Sequence, residues 1–209
     1  KNPHFWRDTN LLWTHPPCHT LWNEKKLIQG RQDSPLSEEG REMAASWGRC
    51  LASFSWQRII CSDLGRTRAT SELINRTLKL PIHSDHRLRE QDWGEWSGMA
   101  LGDVKKTHRK LLQDMVRSGW FFQPPGGESR KQVLGRSLAA LQEAHTSWPG
   151  ESILVVCHEG VIKCLLYHLT GRKFLPEEPR LIKPGHLHLL EQDDKTPYLK
   201  EVNCKALKH

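Results

Sequence analysis

The chain has 209 residues, and its 31 Lys and Arg against 24 Asp and Glu give a formal net charge of +7 with histidine neutral. This length predicts a single domain over residues 1–209, long enough to bury a core. The positive charge favours anionic partners. Because acidic residues interrupt the basic ones throughout, no run resembles a nucleic-acid-binding arm, and a small phosphorylated or other anionic ligand is favoured over nucleic acid.

The sequence also argues against a membrane protein. No apolar run approaches the roughly 20 residues needed to span a bilayer. The six cysteines are scattered and form no CxxC pair, which is typical of reduced thiols in a cytoplasmic protein. We therefore expect a soluble, cytoplasmic protein without a membrane partner. The sequence leaves the oligomeric state open, a homodimer included.

Short apolar runs alternate with helical patterns along the chain. Runs predicted to be buried strands are NLLWT at 10–14, RIICS at 58–62 and SILVVCH at 152–158. Segments predicted to be helices are about 38–53, capped by Ser37, then 66–77, 101–117, 129–147 and 160–169. This alternation predicts an α/β protein, a three-layer α/β/α sandwich with a mostly parallel central sheet.

The remaining segments predict loops and one hairpin. Residues 79–100 and 118–128 are rich in glycine, proline, tryptophan and charge, and their length favours ordered functional loops. The tail GHLHLLEQDDKTPYLKEVN predicts two strands around a polar turn at the edge of the sheet.

Polar residues follow each of the three predicted strands. Thr14 and His15 follow the first, Arg66 lies shortly after the second, and His158 follows the third. Ligands of open α/β sheets bind at the carboxyl ends of the strands, so these side chains are expected to converge. Two histidines and an arginine suit phosphoryl transfer, in which neutral imidazole attacks phosphorus and cationic donors hold the phosphoryl oxygens. Glu90, in the loop RLREQDWGEWSG, is a candidate acid for the leaving alcohol.

Five motifs in order resemble those of the histidine phosphatase superfamily, also called phosphoglycerate mutase-like. The first is Thr20-x-Trp22-Asn23 with Gly30 and Asp33-x-Pro35-Leu36-Ser37-x-x-Gly40. The other four are Ser62-Asp63-Leu64-x-Arg66, Leu88-x-Glu90 with Gly94-x-Trp96-x-Gly98, PPGGES at 124–129, and Val156-x-His158-x-Gly160-x-Ile162. The size of the chain and PPGGES look closest to the small phosphatases of the superfamily. The resemblance covers nearly the whole chain and implies the phosphoglycerate mutase-like fold.

This resemblance implies a phosphomonoesterase with a phosphohistidine intermediate and no metal or cofactor. The first-strand histidine, His15, would be the nucleophile, and Glu90 the general acid. Arg66 and the catalytic His158 would bind the transferring phosphoryl group. Asn23, Thr14 and Ser129 would add hydrogen bonds to the phosphate.

The first motif departs from the family pattern R-H-G-x-T. Alignment on the strand puts His15 at the nucleophile position, Thr14 in place of the arginine and Pro16 in place of the glycine. Counting back from TLWN without a gap instead puts prolines at the arginine and histidine positions and leaves His19 as the nearby imidazole. We favour His15, because loops absorb insertions more readily than strands do.

These departures keep a second hypothesis open, a catalytically impaired family member that binds an anion, metal, haem or protein partner. The candidate metal ligands are His15, Cys18 and His19. Their H-x-x-C-H spacing fits no established finger pattern, and the two prolines between them already account for a rigid turn. The sequence therefore predicts no cofactor, with this cluster as the alternative.

Overall fold

A computed structural model of the protein describes residues 19–192 and 197–207, together with the backbone of residues 10–15. Its strands are β1 (Asn10–His15), β2 (Arg58–Cys61), β3 (Ile82–Ser84), β4 (Ile153–Val156), β5 (His186–Gln192) and β6 (Pro197–Ala206). Its α-helices are α1 (Leu21–Glu24), α2 (Glu38–Leu51), α3 (Gly65–Leu78), α4 (Leu101–Thr107), α5 (Arg109–Arg117), α6 (Arg130–Ser147) and α7 (Glu159–Leu169).

The strands form one sheet in the order β3-β2-β4-β1-β5-β6. Strands β3, β2, β4 and β1 run parallel, while β5 and β6 pair antiparallel at one edge. The predicted mostly parallel sheet and the predicted C-terminal edge hairpin are therefore confirmed. The turn of that hairpin lies outside the described residues.

Central strand β4 shows why the fold has three layers. All four of its side chains are buried, and they point alternately to the two faces. Ile153 and Val155 pack in one core with α6 and α7, while Leu154 and Val156 pack in a second core with α2 and α3. The two helix pairs thus cover opposite faces of the sheet, as an α/β/α sandwich requires.

The region predicted as one helix over 101–117 is instead two helices, and that prediction was wrong. The chain leaves helical geometry at His108, where φ is −120° and ψ is 31°. The His108 ring lies 5.7 Å from that of buried Trp96, in a small third core that also includes Val104. Tertiary packing thus replaces the continuous helix that the local pattern favours. No helix of the described residues is both long and apolar enough to cross a membrane.

Candidate active site

Three parallel strands end at the same level of the sheet. The register pairs His15 of β1 with Val156 of β4, and Val156 with Cys61 of β2. The backbone at His15 therefore reaches the edge from which the loops toward Arg66 and His158 depart. The side chains of Thr14 and His15, and the whole of Cys18, lie outside the described residues.

Arg66 is fixed at the start of α3. The Asp33 carboxylate accepts hydrogen bonds from the backbone N–H groups of Gly65 and Arg66, the latter at 3.2 Å. The buried guanidinium donates to the carbonyl oxygens of Gln32 and Gly30, both at 2.8 Å. Burial lowers the pKa of Arg66, and the nearby acidic groups oppose that effect. The guanidinium is thus a rigidly held cation, since arginine is not deprotonated in proteins.

His158 lies directly against this cation. Nη2 of Arg66 is 3.2 Å from Nδ1 of His158, and Oγ1 of Thr67 is 3.3 Å from Nε2. Burial, together with the charges of Arg66 and Arg136, lowers the pKa of His158 well below its usual value. The imidazole is therefore neutral. Because a guanidinium only donates, Nδ1 is the acceptor, so the proton belongs on Nε2, where it is donated to Thr67.

Glu90 approaches the same region from the 79–100 loop. Its carboxylate accepts hydrogen bonds from the backbone N–H groups of Gln91 at 2.7 Å and Gly160 at 3.3 Å. Burial raises the pKa of Glu90 above its usual value, although these hydrogen bonds and Arg66 act in the opposite direction. A carboxyl group that keeps its proton to higher pH suits a general acid.

These groups surround one cavity of about 270 Å³. Its lining includes Asn23, Gly30, Arg66, Glu90, Trp93 and His158. The Trp93 ring packs edge-to-face against Phe122, with the two ring centroids 5.6 Å apart. The structure thus brings together Arg66, Glu90 and His158, three residues that the sequence placed in one site.

Two predicted phosphate ligands have different surroundings. Asn23 lines the cavity, but its Oδ1 accepts hydrogen bonds from the backbone and hydroxyl of Thr20, at 2.9 and 2.8 Å. Its amide NH₂ is therefore the group available to an anion. Ser129 does not line the cavity. It caps α6, where its hydroxyl accepts from the Gln132 N–H at 3.2 Å and donates to Oε1 of Gln132 at 2.9 Å.

Glu159, which directly follows His158, also lines the cavity. Its carboxylate is ion-paired with Lys163 at 2.5 Å, one helical turn later. A paired carboxylate still adds negative charge beside an anion site.

His19, the alternative nucleophile, is an exposed residue of a neighbouring cleft of about 550 Å³. That cleft shares Asn23 and Glu159 with the cavity. Among the described residues, no group of three or more His, Cys, Asp and Glu side chains is arranged to hold a metal ion. The His15 side chain and Cys18 are outside that set.

Three supporting residues were not singled out for these roles from the sequence. Asp33 positions Arg66, and the hydroxyl oxygen of Thr67 accepts a hydrogen bond from Nε2 of His158. Arg136 pairs with Glu128 through two contacts of 2.8 Å and donates to the backbone oxygen of Glu90 at 3.1 Å. Thr67 directly follows Arg66, and nothing in the local sequence predicts its contact with His158, 91 residues away.

Comparison with known proteins shows the family of the chain. Residues 18–205 match the model of the histidine phosphatase superfamily, branch 1. The chain is 34% identical over 152 residues to a probable phosphoglycerate mutase, GpmB, of Salmonella choleraesuis strain SC-B67, covering 73% of this chain and 71% of that protein. It is 30% identical over 152 residues to the uncharacterized phosphatase PhoE of Bacillus subtilis strain 168, covering 73% of each.

A solved structure extends the likeness to three dimensions. The mycobacterial glucosyl-3-phosphoglycerate phosphatase Rv2419c, in complex with VO3, superposes with a TM-score of 0.81 at 25% identity, covering 94% of this chain and all of that one. Family match, relatives and fold therefore agree, and the chain belongs to branch 1 of the histidine phosphatase superfamily.

Proposed function

We propose that this protein hydrolyses small anionic phosphomonoesters through a phosphohistidine intermediate. The observation that carries the proposal is the convergence of Arg66, His158 and Glu90 on one cavity, at the edge where the His15 backbone also arrives. In this proposal Arg66, Asn23 and Thr14 donate hydrogen bonds to the phosphoryl oxygens. The Nε2–H of His158 does so in exchange for its contact with Thr67.

In the first step, a ring nitrogen of His15 attacks phosphorus and the P–O ester bond breaks. The protonated carboxyl of Glu90 gives its proton to the leaving alcohol oxygen. The raised pKa of Glu90 supports this role, since an ordinary glutamate is almost fully ionised at neutral pH.

In the second step, water attacks phosphorus and the P–N bond to His15 breaks. The Glu90 carboxylate, left by the first step, takes a proton from that water. Inorganic phosphate departs, and both His15 and Glu90 return to their starting states. The fixed Arg66 cation stabilises the charge that moves onto the phosphoryl oxygens in both steps.

The alternative is a family member that binds an anion without turning it over. Pro16 after the nucleophile and Thr14 in place of the family arginine favour this reading. One charge-assisted hydrogen bond contributes about 1.5 to 3 kcal/mol. Losing one in the transition state therefore slows the reaction about 10- to 100-fold without abolishing it.

An assay with p-nitrophenyl phosphate separates the two readings. We expect turnover by the wild-type protein and by His19→Ala, and loss of turnover in His15→Ala and His158→Ala. Wild-type activity no higher than that of His15→Ala would contradict the proposal. Since the mechanism requires no metal ion, we expect EDTA to leave the rate unchanged.

We also propose a cytoplasmic location. The six cysteines are scattered along the chain, and burial raises the pKa of Cys164 to about 12 and that of Cys157 further. These two thiols thus act as small apolar side chains. Subcellular fractionation with an antibody to the protein tests the location.

A further inference from the structure

A second cavity, of about 240 Å³, adjoins the one described above. The two share Glu90, Trp93 and Glu159 in their linings, so Glu90 stands where they meet. The second cavity is otherwise lined by residues that include Arg130, Lys163 and Phe174. A leaving group whose oxygen receives the Glu90 proton therefore has this space directly beside it.

Arg130 gives the second cavity its cationic character. The guanidinium lies between two aromatic rings, 4.3 Å from the centroid of Phe122 and 4.4 Å from that of Phe174. One hydrogen bond, from Nη1 to the Gly119 carbonyl oxygen at 3.0 Å, holds it in place. Within the described residues, no carboxylate pairs with Arg130.

An arginine in this setting is prepared to bind an anion. Burial lowers its pKa to about 10, so it is still charged at neutral pH. A partly desolvated cation without a counter-charge gains strongly from an incoming carboxylate or phosphate. The other cation, Lys163, is already paired with Glu159 at 2.5 Å. Among the described residues that line this cavity, Arg130 is therefore the cation without a counter-charge.

The placement of the aromatic rings supports a built site. Phe174 has a φ of 63°, a left-handed backbone conformation that is strained for a residue with a side chain. Its ring packs against Tyr167 and Trp120, with centroid distances of 4.3 and 4.8 Å, as well as against Arg130. The surrounding structure thus holds the guanidinium in a fixed plane.

We propose that Arg130 forms a subsite for a second anionic group on the leaving side of the substrate, so that the preferred substrates are phosphomonoesters carrying a carboxylate. This inference rests on the proposed function for the position of the phosphoryl group. The phosphoryl group occupies the cavity of Arg66 and His158. The carboxylate reaches past Glu90 to Arg130.

The test compares non-hydrolysable ligands that differ only in the carboxylate, namely benzylphosphonate and its 3- and 4-carboxy derivatives. Binding is measured by titration calorimetry on the wild-type protein. We expect at least one carboxylated ligand to bind about tenfold or more tightly than benzylphosphonate, the factor expected of one charge-assisted hydrogen bond. Equal affinities for all three ligands would overturn the proposal.

Variants assign the preference to Arg130. In Arg130→Met, which keeps a long apolar side chain, the affinity ratio between carboxylated and plain ligand should fall to about one. Arg130→Lys, which keeps the charge but not the planar donor, should retain part of the ratio. The control Lys131→Met removes the adjacent cation, which does not line the cavity, and should leave the ratio unchanged. An unchanged ratio in Arg130→Met would overturn the proposal.

The ligands also keep the two proposals apart, because phosphonates bind without being hydrolysed. A carboxylate preference in a protein that does not turn over phenyl phosphate would support the subsite and contradict the proposed hydrolysis. Turnover of phenyl phosphate with no carboxylate preference would support the hydrolysis and contradict the subsite.

Discussion

The Arg66 guanidinium donates to Nδ1 of His158, with Nη2 and Nδ1 3.2 Å apart. This contact fixes the neutral histidine with its proton on Nε2, facing Thr67. The family motifs place both residues in the site but carry no information on this tautomer. The pair joins the start of α3 to the end of β4, and so couples the two loops that meet at the cavity.

Replacing Arg66 by lysine tests how much the planar guanidinium contributes. Lysine keeps the charge but cannot contact Gly30, Gln32 and His158 at once. We expect kcat/KM for p-nitrophenyl phosphate to fall about 100-fold, or about 3 kcal/mol of transition-state stabilisation. The control Arg68→Lys, an exposed residue of the same helix, should keep wild-type kinetics. Wild-type kinetics in Arg66→Lys would show that the positive charge is sufficient and that the planar guanidinium is not required.

Glu90 should make the folded protein less stable as pH rises. Burial raises the pKa of Glu90 in the folded state above its unfolded value of about 4.3. At pH values between these two pKa values, the folded state therefore binds more protons than the unfolded state. Its contribution to the free energy of unfolding therefore falls with increasing pH, by up to about 1.36 kcal/mol per pH unit. Urea titrations from pH 4 to 8 should show Glu90→Gln gaining stability relative to wild type as pH rises.

The same variant should lose turnover, because glutamine donates no proton to a leaving alcohol. A stability difference that does not vary with pH would contradict the raised pKa. Turnover that survives the substitution would contradict the acid role, whatever the stability result.

A methyl group at Gly160 should displace the general acid. A Cβ at this position would lie 2.3 Å from Oε1 of Glu90, whereas one at Gly135 would meet nothing within 4 Å. Both glycines lie in helices, so alanine is favoured locally in each. We expect Gly160→Ala to lower kcat at least tenfold and Gly135→Ala to leave it unchanged, as measured by steady-state kinetics. Comparable kinetics in the two variants would show that the position of Glu90 is not critical.

Removing the Glu159 charge should tighten phosphate binding. Its carboxylate lines the cavity, where it repels an anion, and at an effective dielectric constant near 20 such a charge still acts over several ångströms. We expect Glu159→Gln to lower the Kd for inorganic phosphate several-fold, more so at low salt. Glu72→Gln, which removes an exposed charge of α3 outside both cavities, is the matched control. Weaker binding in Glu159→Gln would show that Glu159 supports the anion site.

The sequence predicted the parts of the site that depend on strand ends. The three apolar runs 10–14, 58–62 and 152–158 contain strands β1, β2 and β4. In β2 and β4, the nearly continuous burial of the side chains explains the clear apolar signal. Arg66 and His158 follow two of these strands, so their meeting could be expected. Strand β3 was missed because its three side chains are all exposed, which removes the pattern that identifies a buried strand.

Other features depend on contacts that no local pattern records. The position of the Arg130 guanidinium depends on Phe122 and Phe174, which come from separate loops. Ser129 was assigned to phosphate through the family motif, although Ser129 followed by Gln132 is also a helix capping box. The capping-box pattern alone predicts the hydrogen bonds that are observed, and it places Ser129 at the start of the helix rather than at the phosphate.

Trapping the phosphorylated enzyme tests the phosphohistidine mechanism most directly. The protein is mixed with excess substrate, quenched in alkali because phosphohistidine is labile in acid, and digested for mass spectrometry. The account predicts a phosphoryl group on His15, absent in His15→Ala and retained in His19→Ala. Phosphoryl transfer to His19, or rapid turnover with no phosphorylated histidine in the wild-type protein, would contradict it.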